Sequence, residues 1–351
     1  MKFRLRYLLY ISVITLLFTG CSDMTQIEDR DFVLAVGVGY DQGEYKLTYA
    51  RPDLSVLTGQ PAQQNEKLIV TYTGARIPDI EDDYARNSNK RLDYNHLKVI
   101  VLDYSIVENK LKMNEFFDYI ENNYEISRNT LVFYTNEQAN KILEVKAISG
   151  NIGENLEQLY ENNPHNSDTK KVTIGDLVNG LYQIDKVLLI PNLEIKEDRI
   201  WLSGAAIFSE NEYVDSIDED LLTYVYMMTG VGKGRNIMIE NTQVVNIKEI
   251  KSKYTFSLKD GKPNVVVKIK GVGKGLQSKA SGDSEIILNT HLKETMIYIY
   301  QDLMKDKKVD YLNLYRRLSY KDRDTWRHYK GNVDRFIDDL TVDFVVDFTL
   351  Q

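Results

Sequence analysis

Apolar and polar positions follow two periods along this chain, and the switches between them mark its elements. Residues 32–40 are apolar and β-branched, Asp41-Gln42-Gly43 reads as a turn, and residues 45–50 alternate, which predicts a hairpin. Residues 52–66 are polar and predict a loop; 68–72 predict a strand. Pro78 stands where a helix can begin, because its fixed φ suits the first turn, and the helical pattern runs to about Asn89. Residues 96–102 form an almost continuous apolar strand. Met113, Phe116, Phe117 and Ile120 then recur at helical spacing. A strand over 129–134 and a short helix over 137–142 follow, and strands alternating with helices argue for a mixed α/β arrangement.

Residues 149–171 hold a short helical piece and then a polar, Pro- and Asn-bearing stretch that reads as a linker or mobile loop. A helix over 173–182 leads to apolar residues 187–190, Pro191 and 193–195. The second half opens with a strand at 200–208. Strands at 253–258 and 264–270 flank Lys259-Asp260-Gly261-Lys262-Pro263, a second hairpin signal. The strongest helix spans 285–304, with Leu288, Leu292, Thr295, Met296, Ile299 and Leu303 along one face. Trp326, Tyr329, Val333, Phe336 and Leu340 predict one more helix, running through Gly331. The chain closes on a strand whose Val342, Phe344, Val346, Phe348 and Leu350 share a face. The fold class is α+β, with mixed β-sheets flanked by helices in two to three α/β subdomains.

The N-terminus has a different pattern. Lys2, Arg4 and Arg6 precede an apolar stretch from Tyr7 to Phe18, closed by Thr19-Gly20-Cys21. A basic head, a short apolar run and small residues before a cut describe a secretory signal peptide over 1–20. The run falls short of the roughly 20 residues a membrane span needs. No later run is long enough either. Because the small residues meet the only cysteine, the ending resembles the lipobox of bacterial lipoproteins. That resemblance implies diacylglycerol on the Cys21 thiol and cleavage before it; Phe18 stands where such boxes usually carry Leu.

Charge and cysteine usage narrow the classes. With one cysteine no internal disulfide exists, so 351 residues must be held by ordinary cores. Removing residues 1–20 takes three positive charges, so the formal −8 becomes −11. An acidic body lacks the basic footprint of nucleic-acid recognition and is equally ill suited, by net charge, to an anionic membrane. Around Arg30 lie Asp23, Glu28, Asp29 and Asp31, so no polybasic second signal follows Cys21. Membrane attachment is then expected from the lipid. The tether over 21–31 reaches about 30–35 Å fully extended, which keeps the folded body near the bilayer.

Motifs that might carry chemistry read as structure. Gly-Val-Gly-Lys-Gly occurs at 230–234 and 271–275, but glycine follows each lysine where a phosphate loop needs Ser or Thr to ligate magnesium. Both copies read as strand-edge turns or bulges. His96, His165, His291 and His328 are not paired at metal-ligand spacing. Residues 215–220 (DSIDED) lack the central glycine and closing glutamate of a calcium loop and read as a solvated turn. Asp338, Asp339, Asp343 and Asp347 have no histidine, serine or second-carboxylate context that would nominate a general acid or base. No catalytic, cofactor-binding or metal site is assigned, and the residues describe a binding or assembly protein.

Several segments resemble the Ger(x)C family, the lipoprotein C subunits of bacterial spore nutrient germinant receptors. They are Gly37-Val38-Gly39-Tyr40-Asp41, the run from Lys90 to Leu102, the run from Phe116 to Thr135, and Leu202-Ser203-Gly204-Ala205-Ala206-Ile207-Phe208. Trp326 and the closing helix and strand complete the order. Two positions depart: Ser22 replaces a tryptophan after the lipidated cysteine, and residues 310–315 lack the family's glycines. The resemblance implies three α/β subdomains and a protein lipid-anchored through Cys21 on the outer face of the spore inner membrane. It also implies assembly with multi-pass transmembrane A and B subunits, with no catalytic residue and no cofactor to carry over. The expected domains are an N-terminal germination-protein domain at 32–195 and a C-terminal one at 196–351, the latter divisible near 275. An alternative is a solute-binding lipoprotein that captures a small-molecule germinant itself.

Overall fold

The computed structural model describes residues 29–52, 68–147, 151–162, 171–181, 186–210, 212–230, 235–239, 243–275 and 282–351. Residues 1–20, Cys21 and, within the 149–171 stretch, residues 149–150 and 163–170 lie outside them. The N-terminal half runs β1 (Arg30–Phe32), β2 (Ala35–Asp41), β3 (Glu44–Ala50), β4 (Ile69–Gly74), α1 (Ile77–Ser88), β5 (Arg91–Asp93), β6 (Val99–Asp103) and α2 (Tyr104–Val107). It continues with α3 (Lys110–Asn122), β7 (Leu131–Thr135), α4 (Ala139–Glu144), α5 (Ile152–Glu161) and α6 (Ile174–Leu181). Then come β8 (Val187–Lys196), β9 (Arg199–Ser209), β10 (Glu212–Ile217) and α7 (Glu219–Thr229).

Eight of these strands build one sheet in the order β10-β9-β8-β7-β6-β2-β3-β4, while β1 and β5 pair separately. The β2–β3 hairpin closes through Gln42-Gly43, as the sequence pattern requires, while β2, β6 and β7 run parallel. All five residues of β6 and all five of β7 are buried. Parallel strands covered on both faces are expected to be apolar throughout, and helices supply the cover. Ile100, Leu102, Val132 and Tyr134 face α1, α3 and α6. Val99, Val101, Leu131 and Phe133 face α4 and α5. Helix α1 starts with Pro78 in its first turn, and α3 starts where the Asn109 side chain accepts from the Lys112 amide.

Pairing thins to a single register pair between β7 and β8, Tyr134 opposite Asn192. At the same point β9 carries an extra residue, because Pro191 pairs with Ala205 but Leu193 pairs with Leu202. Gly204 makes the bulge: at φ +76, with Ile217's carbonyl oxygen where a Cβ would sit, only glycine fits. The Asn192 amide donates to the Ser203 carbonyl at 3.0 Å and spans the joint. Strands β8 and β9 form one hairpin, so the sheet passes continuously across residue 196.

The rest comprises β11 (Asn236–Ile239), β12 (Gln243–Lys259), β13 (Lys262–Gly275), α8 (Gly282–Ile299), α9 (Leu314–Lys321), α10 (Arg323–Arg327), α11 (Val333–Asp339) and β14 (Thr341–Leu350). A four-stranded sheet, β11-β12-β13-β14, is antiparallel up to β13 and parallel at β14. Its inner face packs on α7 and α8 through Val265, Val267, Ile269, Phe344 and Phe348. Buried residues of α7 reach β9 and β10 in the same cluster, which ties this sheet to the first one. Among the described residues the buried side chains gather in three clusters.

Two helices differ from the sequence pattern. Helix α8 carries the expected apolar face but continues as a π-helical turn over Tyr300–Asp306. The single helix expected through Gly331 is two: α10 ends before it and α11 begins after it. Gly331 lies at φ +78, and the Asn332 side chain caps α11 by accepting from the Arg335 amide at 2.8 Å. Tyr329, Phe336 and Leu340 still reach one core, because the turn returns the chain to it.

Candidate functional site

The first described residues are fastened by charge. Strand β1 lies parallel to β5 with Asp31 opposite Leu92. Asp31, only 6% exposed, accepts from Tyr84 Oη at 2.5 Å and Arg51 at 3.0 Å, with Lys90 Nζ at 3.3 Å. Burial alone would raise its pKa, but the Tyr84 hydrogen bond and the Arg51 and Lys90 charges outweigh burial and hold it below the usual value. Asp93 is similar: against burial, the Asn95 amides and Arg30 hold it low, and Arg30 reaches it at 3.0 Å. Together these groups fix where the chain emerges toward Cys21, which itself lies outside the described residues.

Beside this anchor a cleft of about 870 Å³ opens between α1, β5 and α3. Ile77, Ile80 and Tyr84 are the buried apolar residues of α1, and Glu81, four residues after Ile77, falls on the same inner side. Its Oε1 accepts from Tyr94 Oη at 2.6 Å and from Tyr119 Oη, and Asn123 Nδ2 donates to Tyr119 Oη at 3.0 Å. Burial pushes the Glu81 carboxyl above its ordinary value despite both phenols, with Glu125 and Asp82 adding repulsion. Burial likewise pushes the phenols of Tyr94 and Tyr119 up. Arg76, Arg91, Asp82, Glu115 and Asp118 complete the polar rim. The cleft offers hydrogen-bond donors and acceptors for a small polar solute, and its phenols stay protonated at neutral pH.

Two segments of the family resemblance prove architectural. Asp103, at the end of β6, accepts from Ser105 Oγ at 2.5 Å and from the Ala139 amide at 3.1 Å, so it joins the starts of α2 and α4. Burial pushes its carboxyl up against the pull of those bonds. Gly39 passes so close that a Cβ would collide with Asp103 Oδ2. Leu202 to Phe208 is the bulged strand at the sheet joint.

The residues singled out from the sequence are dispersed. His291 Nε2 lies 2.9 Å from Tyr224 Oη, His328 Nδ1 lies 2.9 Å from the Asp324 carbonyl, and His96 sits at the edge of the Phe32 ring. His165 lies outside the described residues. Residues 271–275 end β13, while Gly230 terminates α7 and the rest of its copy is outside the described residues. Asp218 of the DSIDED run caps α7 by accepting from the Leu221 amide at 2.7 Å. Asp338, Asp339 and Asp347 engage Lys308, Lys262 and Lys270 separately. Among the described residues no three His, Cys, Asp or Glu side chains gather as metal ligands, and no helix is long and apolar enough to cross a membrane. The sequence reading missed Glu81; its place at helical spacing from Ile77 was the available signal.

Comparison with known proteins matches residues 23–195 to the family described as "Spore germination protein N-terminal domain". Residues 203–351 match "Spore germination B3/GerAC like, C-terminal". Spore germination protein A3 of Bacillus subtilis (strain 168) is 21% identical over 75% of this chain and 70% of its own length. Spore germination protein GerQC of Bacillus cereus is 21% identical over 87% of this chain and 78% of its own. The crystal structure of the GerBC protein superposes with a TM-score of 0.61 at 19% identity, covering 93% of this chain and 99% of that one. That superposition confirms the α+β fold with mixed, helix-flanked sheets.

Proposed function

The chain belongs to the Ger(x)C family of spore germination proteins, and from that premise we propose that it is the lipid-anchored C subunit of a nutrient germinant receptor. It acts by assembly or signalling rather than catalysis, beside multi-pass transmembrane A and B subunits on the outer face of the spore inner membrane. The observation that carries the reading is the match to both family domains in order, beginning two residues after Cys21. The division into a signal peptide at 1–20, a tether at 21–31 and domains at 32–195 and 196–351 belongs to the same proposal. The ion network at Asp31 supports it, since a tether needs a fixed point of departure. The test is Cys21→Ala in the producing organism. Loss of the protein from membranes, with failed nutrient germination and intact germination by non-nutrient agents, is expected. Unchanged membrane retention and unlabelled Cys21 after feeding a fatty-acid probe would refute the anchor.

A second reading rests on the cleft: Glu81, Tyr94 and Tyr119 would hold a small polar germinant directly. Calorimetric titration with amino acids and sugars decides it; heat that vanishes in Glu81→Ala supports capture, and no heat leaves assembly alone.

A further inference from the structure

The acidic total conceals a segregated surface. Along the solvent face of the four-stranded sheet, Lys251 and Lys253 of β12 stand directly opposite Lys270 and Lys268 of β13. Lys248 and Lys274 extend the row, and all six are exposed. Like charges opposed across antiparallel strands weaken the pairing, so this ladder costs the fold stability. Only Lys270 is neutralised, by Asp347 at 2.7 Å. Lys251, Lys253, Lys268 and Lys274 make no ion pair among the described residues. Glu249, Asp343 and Asp347 are the acids of this face, so it stays positive in a chain of net −8.

We propose that this lysine face docks on anionic phospholipid headgroups and sets how the tethered body lies on the bilayer. The inference rests on the membrane placement proposed above. The composition of the face favours lipid over a protein partner. Protein interfaces enrich aromatic residues and arginine and deplete lysine. Here every cation is lysine, and the remaining positions, such as Met238, Thr255, Ser257, Val266, Val345 and Thr349, include one methionine and no aromatic side chain. Lysine is a hydrated point charge that needs no bidentate geometry, which suits a laterally mobile layer of phosphates. The two paired strands present these charges on one solvent face, as contact with a bilayer surface requires. Net charge sums over faces that a membrane meets one at a time.

The test uses the chain from Ser22 onward, which bears no lipid, so its outcome is independent of Cys21. Every described core residue lies between Val33 and Phe348, so that chain contains all the described cores. Co-sedimentation with phosphatidylcholine vesicles, with and without phosphatidylglycerol, is measured at low and high salt. Binding only to the anionic vesicles, reversed by salt, is expected. In the double variant Lys251→Glu and Lys268→Glu, each new carboxylate faces a lysine, Lys270 or Lys253. Thermal stability should therefore hold or rise while vesicle binding falls at least about 25-fold, near fivefold for each lysine lost. Exposed lysines elsewhere, in Lys141→Glu and Lys293→Glu, should leave binding within about twofold. Equal binding to neutral vesicles, no binding to anionic ones, or equal losses in both variant pairs would overturn the proposal. So would a change in self-association without vesicles, which would assign the face to a second copy.

Discussion

Gly39 leaves the space that Asp103 occupies: the carboxyl Cγ lies 3.0 Å from where a Cβ would stand. The two glycines of the Gly-x-Gly-x-Asp segment therefore serve packing. Gly37 admits Ala139 and Leu143 of α4 in the same way. Gly39→Ala is expected to cost about 1–3 kcal/mol by overpacking. Urea unfolding reads this as a lowered midpoint with an unchanged slope.

Asp31 joins β1 to Arg51, Tyr84 and Lys90. Asp31→Ala strands the largely buried Arg51 guanidinium and the Tyr84 hydroxyl and is expected to cost about 3 kcal/mol at neutral pH. Because the folded carboxyl titrates below its ordinary 3.8, this stabilisation is complete above that value and disappears as pH falls through the folded pKa. Native and variant stabilities, measured by urea unfolding across pH, should converge at the acid end.

Glu81 has the opposite sign. Its folded pKa lies above the ordinary 4.5, so the folded chain holds the proton where the unfolded chain has lost it. Stability contributed by this group is full below 4.5 and declines as pH rises toward the folded value. In Glu81→Gln that decline should be absent, and the two stability curves should differ in slope above that pH. Parallel curves would place Glu81 in solvent.

Lys305 closes a helix from outside it. Its Nζ donates to the carbonyls of Ile337 at 2.6 Å and Leu340 at 2.5 Å, at the C-terminal end of α11, where a cation is favoured. Lys305→Met is expected to cost about 1–3 kcal/mol. Amide exchange should quicken in Val333–Asp339 first, without comparable change in β2 or β6.

The legible parts of the fold were those written in a single period. The β2–β3 hairpin, the wholly apolar β6 and the inward face of α8 follow from local burial alone. Strand β12 was read from 253 although it begins at Gln243, because its outward lysines and Glu249 dilute the alternation. Strands β1 and β5, three residues each, exist only through their pairing with each other, which no local pattern encodes. The break at Gly331 was hidden because residues on both sides of the turn return to one core at near-helical spacing. Of the cleft, Tyr94 and Tyr119 both stand in segments with family character, but they meet Glu81 from 13 and 38 positions away, which no local pattern encodes. The lysine ladder depends on strand register, which only the paired structure supplies.

The Asp31 network also has a mechanical meaning. A pull on the chain upstream of Arg30 reaches Asp93 first and the Asp31 carboxylate next, and from there it passes through Tyr84 into α1. Three residues earlier on that helix is Glu81. Any force on β1 is thus delivered to the helix that forms one wall of the cleft.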